Sequence, residues 1–207
     1  MIGSLLYLFL NVFKKRDIEK AQESLVAAIN PSKKIKDLEK KFKFSATFEN
    51  QVALADAYLD EQMYPEAIAN YQASLKDMFF HDFYVISKLV EACYFSSDFA
   101  NVISQAERIS DDSKFRKSKA SFLYGMALEK EGDIKKAEEI LKTFDAPYSN
   151  FMERLELARF FVRNHKIAEG KMVYQEMVSE SENMSKQSYR TNREIIKRAK
   201  EELLDLT

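Results

Sequence analysis

The sequence repeats a pattern of small residues about every 34 positions, and this constrains the fold more than any other feature. Ala67, Val102, Ala137 and Gly170 are small or short residues, and they stand 35, 35 and 33 positions apart. Each follows a short turn, inside the second of two amphipathic helical segments. One helix pair cannot bury its apolar stripe alone, so neighbouring pairs have to stack. The pattern predicts an array of repeated helix pairs.

The composition agrees with a helical fold. The 207 residues include only four Gly and three Pro, whereas sandwiches and barrels need many turns built from these residues. Hydrophobic residues make up 46% of the chain and charged residues 31%, which suits a folded, soluble protein. The single Cys excludes a disulfide framework within the chain.

The clearest copies of the pattern run over 53–75 and 123–144. The first helices carry small residues that let their partners approach, at Ala55, Gly125 and Ala158. Large rings fill the space between neighbouring pairs, at Tyr58, Tyr71, Phe161 and Tyr174. Over about 48–178 this set resembles the tetratricopeptide repeat family. The resemblance implies an all-α, right-handed helical solenoid whose first helices line a concave face.

The chain is expected to have four regions. Residues 1–16 form an apolar, partial membrane segment with a basic flank, and 17–47 form a degenerate helical lead-in. Four repeats follow over 48–187, and 188–207 form a C-terminal capping helix. In the lead-in, Asn30–Ser32 is predicted to break the chain, with Ser32 capping a helix that buries Ile35, Leu38, Phe42 and Phe44. Thr47 and Asn50 are predicted to open the first repeat.

The N-terminal region has a membrane-like pattern. Met1–Phe13 contains no charge, and Lys14, Lys15 and Arg16 follow it. Thirteen helical residues rise only about 20 Å, short of a hydrocarbon core of about 30 Å. The segment could be the end of a membrane helix, an interfacial anchor or a helix packed on the protein. Basic residues behind an apolar segment place the following chain on the cytoplasmic side.

The order of these regions gives a second resemblance. The segments 2–10, 27–42, 49–60 and 189–203 are similar to uncharacterised bacterial repeat proteins. In those proteins a membrane hairpin, like the one that precedes phospholipase D-type enzymes, leads into divergent tetratricopeptide units. The resemblance implies the cytoplasmic face of a bacterial inner membrane, with a cytoplasmic location as the alternative.

The sequence contains no recognisable catalytic constellation. Cys93 lies on an apolar helix face, which indicates a buried small side chain rather than a nucleophile. His81 and His165 have no metal-ligand spacing with each other or with Cys93. No Gly-rich phosphate loop is present. We therefore expect no catalytic, metal or cofactor site, no small-molecule substrate and no enzymatic activity.

The expected function is binding of an unidentified protein partner, as a peptide or helix in the concave groove. The groove residues predicted from the repeat pattern are Tyr84, Lys88, Glu91, Tyr94, Lys119, Phe122, Met126, Leu155 and Arg159. Alternatively, a terminal helix fills part of this surface.

The balance of charge leaves a second hypothesis. The chain has 32 basic and 33 acidic side chains, which disfavours a general nucleic-acid binder. Basic residues nevertheless cluster near both termini. The hypothesis is contact with anionic lipid or nucleic acid through Lys14, Lys15, Arg16, Arg190, Arg193 and Lys197.

Overall fold

The computed structural model describes residues 31–206 and confirms the all-helical prediction. Within these residues there are ten α-helices and two short 3₁₀ turns, and no β-strand. The helices are α1 (Pro31–Phe44), α2 (Phe48–Asp60), α3 (Tyr64–Ser74), α4 (Phe83–Phe95), α5 (Phe99–Glu107), α6 (Lys119–Lys130), α7 (Ile134–Leu141), α8 (Phe151–Arg163), α9 (Ile167–Glu182) and α10 (Lys186–Asp205). The 3₁₀ turns are Asp77–Phe79 and Lys142–Phe144.

The chain divides into two compact units, Met1–Lys76 and Asp77–Thr207. In the described part of the first unit, α2 packs against both α1 and α3. In the second unit, α6 packs against α4, α5 and α7, while α8, α9 and α10 pack together. The predicted entry to the first repeat is confirmed, because the Thr47 hydroxyl caps α2 by accepting the Asn50 N–H at 3.3 Å.

Four helix pairs share one kind of turn. Two positions after the end of each first helix, a residue lies in the left-handed region, with φ of 60° at Gln62, 62° at Ser97, 89° at Gly132 and 62° at His165. The residue after it donates its N–H to the carbonyl five positions back, at 2.8–2.9 Å in all four turns. This is the Schellman arrangement, which satisfies the last carbonyls of the first helix and turns the chain into the second. The sequence period is therefore a structural period, and the fold is helical and repeat-like.

The four small residues occupy the same buried position in their helices. Ala67, Val102, Ala137 and Gly170 are each the fourth residue of their helix, and all four are buried. A Cβ atom on Gly170 would lie 2.7 Å from Val162 Cγ2 and 3.0 Å from the Ala158 carbonyl oxygen. These helices pack too closely there to admit another carbon atom.

Two predictions for the lead-in helix are wrong. Helix α1 already includes Ser32, so that residue is not its cap. Phe44 exposes 94% of its surface, whereas Ile35 exposes 9%. Phe44 is nine residues beyond Ile35, which at about 100° per residue puts it on the opposite side of the helix.

The predicted membrane segment over 1–16 and the first part of the lead-in, 17–30, fall outside the described residues. Between residues 31 and 206, none of the helices is both long and apolar enough to cross a membrane.

The second unit contains a buried cation that the sequence analysis did not predict. The Arg154 side chain is fully buried, and its guanidinium donates to Asp145 at 2.8 Å and to both oxygens of Glu180 at 2.8 Å. It also donates to Glu176 at 3.2 Å. Glu180 accepts the backbone N–H of Tyr148 at 2.8 Å as well. The cluster ties α8 to α9 and to the link before α8.

Candidate partner-binding surface

One side of α4 presents aromatic and charged residues to solvent. Asp82 caps the helix by accepting the Val85 N–H at 2.9 Å. Tyr84, Lys88, Glu91 and Phe95 then follow at helical spacing on one side. The opposite side is fully buried, at Val85, Ile86, Leu89 and Val90. Burial of that side turns the other outward, where Tyr84 exposes 49% and Phe95 46% of its surface.

Helix α6 contributes a lysine to this side of α4. Ser118 caps α6 by accepting the Ser121 N–H at 3.1 Å, and Lys119 is the first helical residue. Its ammonium group contacts Glu91 and lies 5.5 Å from the centre of the Phe95 ring. The other oxygen of Glu91 lies 3.3 Å from Lys88 Nζ. We call these five residues, Tyr84, Lys88, Glu91, Phe95 and Lys119, the α4–α6 surface.

Tyr94 and Phe122 support this region from a half-buried position. The Tyr94 ring is edge-on to Phe95 at 5.8 Å and to Phe99 at 5.7 Å. Burial raises the pKa of the Tyr94 phenol, and the nearby charge of Glu156 adds to the effect. Its hydroxyl therefore keeps its proton at neutral pH and can donate a hydrogen bond. Phe122 packs edge-on against Phe144 at 5.3 Å.

Two predicted contact residues belong to the core instead. Leu155 has no exposed surface and Met126 exposes 6%, so neither is available to a partner. The repeat pattern placed both on the inner side of a first helix. The inner side is exposed on α4 but is covered at Met126 and Leu155, so these two residues do not belong to the candidate binding surface.

The C-terminal helix engages the remaining predicted groove residue, Arg159. The Arg159 guanidinium lies 3.0 Å from a Glu202 oxygen of α10 and also contacts Glu156. Glu202 accepts the Tyr174 hydroxyl at 2.6 Å. The hydrogen bond from Arg159 lowers the pKa of Glu202. An open pocket of about 260 Å³ beside this cluster is lined by Arg159, Val162, Arg163, Tyr174, Glu202, Asp205 and Leu206. The C-terminal helix α10 therefore covers the predicted groove at Arg159, in line with the alternative that a terminal helix fills part of this surface.

Two features were not predicted from the sequence, and helical spacing could have revealed the first. Phe95 stands eleven positions after Tyr84, which is the same side of α4. Arg163 lies 2.7 Å from Glu129, which is 34 positions earlier, whereas the two copies involved are 33 positions apart.

The remaining reactive side chains give no sign of chemistry. Burial raises the pKa of the Cys93 thiol to about 12, with a smaller contribution from Asp98. The thiol therefore stays protonated and unreactive at neutral pH. His165 lies in the turn between α8 and α9. Within 31–206, no three His, Cys, Asp or Glu side chains are grouped closely enough to hold a metal ion.

Comparison with known proteins supports the class of fold alone. No protein-family model matches the chain, and no curated protein matches it at the sequence level. By its architecture the protein belongs to the helical, repeat-like all-α class. Among solved structures, the crystal structure of BtubC (BKLC) from P. vanneervenii is similar, with a TM-score of 0.53. The match covers 85% of this chain and 87% of that chain at 13% sequence identity, which shows a shared fold and nothing finer.

Proposed function

We propose that the protein is an interaction scaffold that binds a partner protein, as an extended peptide or a helix, on the α4–α6 surface. The finer architecture that we propose is a tetratricopeptide-type array of helix pairs. The 34-residue period, the four equivalent turns and the four buried small residues at one helix position support it.

The observation that carries the proposal is that two aromatic rings, Tyr84 and Phe95, are half exposed on the same side of α4. Tyr84 and Phe95 are both large and expose 49% and 46% of their surface, so each has apolar area that a partner can cover. Aromatic residues dominate the energetics of protein interfaces, because each buries a large area at a small cost in conformational entropy. Between the rings, the ammonium groups of Lys88 and Lys119 pair with Glu91 and keep further N–H donors for the carbonyl groups of a partner backbone.

We also propose that the protein acts at the cytoplasmic face of a bacterial inner membrane. This rests on the sequence of Met1–Phe13 and on the basic residues that follow it. These residues lie outside those that the structure describes.

The test compares partner capture by three single variants of the full chain. Tyr84→Ala removes an exposed ring from the surface, and Lys119→Glu places a second carboxylate beside Glu91. Tyr148→Ala is the matched control, because Tyr148 is 54% exposed but lies in the link before α8. Each purified variant is immobilised, and the proteins retained from a cell extract are quantified by mass spectrometry.

A specific partner should be retained by the wild type and by Tyr148→Ala. The amount of this partner that is captured should fall about thirtyfold with Tyr84→Ala, which is the factor expected when an aromatic hot-spot residue is removed. Far-UV circular dichroism should show the same helical content in all three variants. If Tyr84→Ala and Lys119→Glu retain every protein that the control retains, the α4–α6 surface is not the binding site.

A further inference from the structure

Helix α10 carries a row of cations along the side that faces solvent. Five residues follow at helical spacing and all are exposed: Lys186, Arg190, Arg193, Lys197 and Lys200. Beside the row, Ile196 and Ala199 each stand one position before a stripe lysine and are buried where α10 packs on α8 and α9. The row, which we call the α10 stripe, extends about 21 Å along the helix.

Little within the described chain neutralises this row. Glu201 lies 3.6 Å from Lys197, and Glu194 is also on the helix. The other four cations of the stripe have no ion-pair partner among the residues from 31 to 206. The second unit contains cross-helix ion pairs such as Arg163 with Glu129, so four unpaired cations in one row differ from the rest of its described surface.

Apolar side chains accompany the stripe, and they decide which anionic partner it fits. Leu204 continues the same line one turn further and exposes 70% of its surface, while Tyr189 exposes 37% near the other end. A lipid interface accepts such side chains beside Lys and Arg, whose aliphatic stems also lie in the interface. A nucleic-acid strand would need a groove with several rings for stacking, and Tyr189 is the sole ring in α10.

The sequence contains a second segment of the same character. Met1–Phe13 is apolar and Lys14, Lys15 and Arg16 follow it, which is the pattern of a segment beside an anionic membrane surface. We propose that the α10 stripe is a docking surface for a bilayer that contains anionic phospholipid. This function is separate from partner binding on the α4–α6 surface.

The experiment measures partitioning of the full chain onto vesicles by co-sedimentation. One vesicle is pure phosphatidylcholine, and the other contains about one-third phosphatidylserine to give an anionic surface. The stripe variant is Arg190→Gln/Arg193→Gln/Lys197→Gln, which keeps good helix formers in α10. The control variant is Arg116→Gln/Lys130→Gln/Lys135→Gln, which removes three exposed charges elsewhere in the second unit.

Each cation of the stripe should raise partitioning onto the anionic vesicle about fivefold, since it contributes about 1 kcal/mol near such a surface. The stripe variant should therefore bind the anionic vesicle about a hundredfold more weakly than the wild type. The control variant should lose less than about fivefold, because its charges are not aligned with the stripe. Binding to pure phosphatidylcholine should be unchanged by either set of substitutions, which separates the stripe from the apolar N-terminal sequence.

Three outcomes would overturn the proposal. Equal losses in both triple variants would mean that total charge, and not the stripe, controls binding. Undiminished binding of the stripe variant to the anionic vesicle would mean that α10 does not face lipid. Loss of binding to a single-stranded oligonucleotide, with vesicle binding retained, would assign the stripe to nucleic acid. Tyr84→Ala should leave vesicle binding unchanged, so that failure here and failure of the scaffold proposal are distinguishable.

Discussion

Replacing Arg154 by Ala should destabilise the second unit by about 3–5 kcal/mol. The guanidinium is fully buried, and of its three carboxylate partners only Glu180 is largely buried, with 11% of its side chain exposed. Asp145 and Glu176 expose 32% and 49% of their side chains, so water can replace the arginine for those two. The cost therefore arises mainly from one buried carboxylate that is left with the Tyr148 N–H alone.

Urea denaturation followed by circular dichroism measures this loss, with Arg116→Ala as the control. Arg116 is exposed, so its removal should change the free energy of unfolding by less than about 0.5 kcal/mol. The double variant Arg154→Met/Glu180→Leu should recover part of the stability, because two apolar side chains replace both buried charges while the Tyr148 N–H loses its acceptor. The reasoning is refuted if Arg154→Ala costs no more than Arg116→Ala, or if the double variant is less stable than Arg154→Ala.

Three other predictions concern the turns, the helix contacts and the C-terminal helix. Ser97→Gly should stabilise the protein by about 0.5–1 kcal/mol, because glycine adopts the left-handed conformation without the steric strain of a side chain. Gly132→Ser should destabilise it by a similar amount. Urea midpoints of the two variants that move in the same direction would contradict this. Gly170→Ala should lower the urea midpoint, because the new methyl group clashes with α8 at a cost of about 1–3 kcal/mol, which exceeds the gain of about 1 kcal/mol in helix propensity. A higher urea midpoint would show that the helix can shift to admit the methyl group. The lowered pKa of Glu202 means that its contribution is present above its unfolded value of about 4.3 and is lost as the pH falls through the folded value. Glu202→Gln should therefore reduce stability at neutral pH and flatten its decline in acid, and parallel pH profiles for variant and wild type would be inconsistent with this.

The sequence was sufficient for the helix pairs because the relevant information is local. The spacing of Ala67, Val102, Ala137 and Gly170 reflects helix periodicity plus a turn of constant length, and both follow from neighbouring residues. The structure places all four at the same position of their helices. The same local reasoning, applied more strictly, would have put Phe44 on the exposed side of α1.

The candidate site was less predictable, because a period tells which side of a helix a residue occupies but not what covers that side. Leu155 and Tyr84 both lie on inner sides by the repeat pattern, yet Leu155 is fully buried and Tyr84 is half exposed. The difference depends on packing between elements that are distant in sequence. Arg154 illustrates the same limit: a single arginine in a charged segment is typical of a solvated surface. Only its three carboxylate partners, up to 26 residues away, explain its burial.

The hydrogen bonds between helices have a consequence for how the chain folds during its synthesis. Glu91 meets Lys119 after 28 residues and Glu129 meets Arg163 after 34. The longest such span among the described side-chain hydrogen bonds is 43 residues, from Arg159 to Glu202. Contacts between residues this near in sequence form quickly, because they do not require distant parts of the polypeptide to come together. As the ribosome extends the chain, each helix pair can therefore find its neighbours soon after it emerges, and the second unit can fold progressively from its N-terminal end.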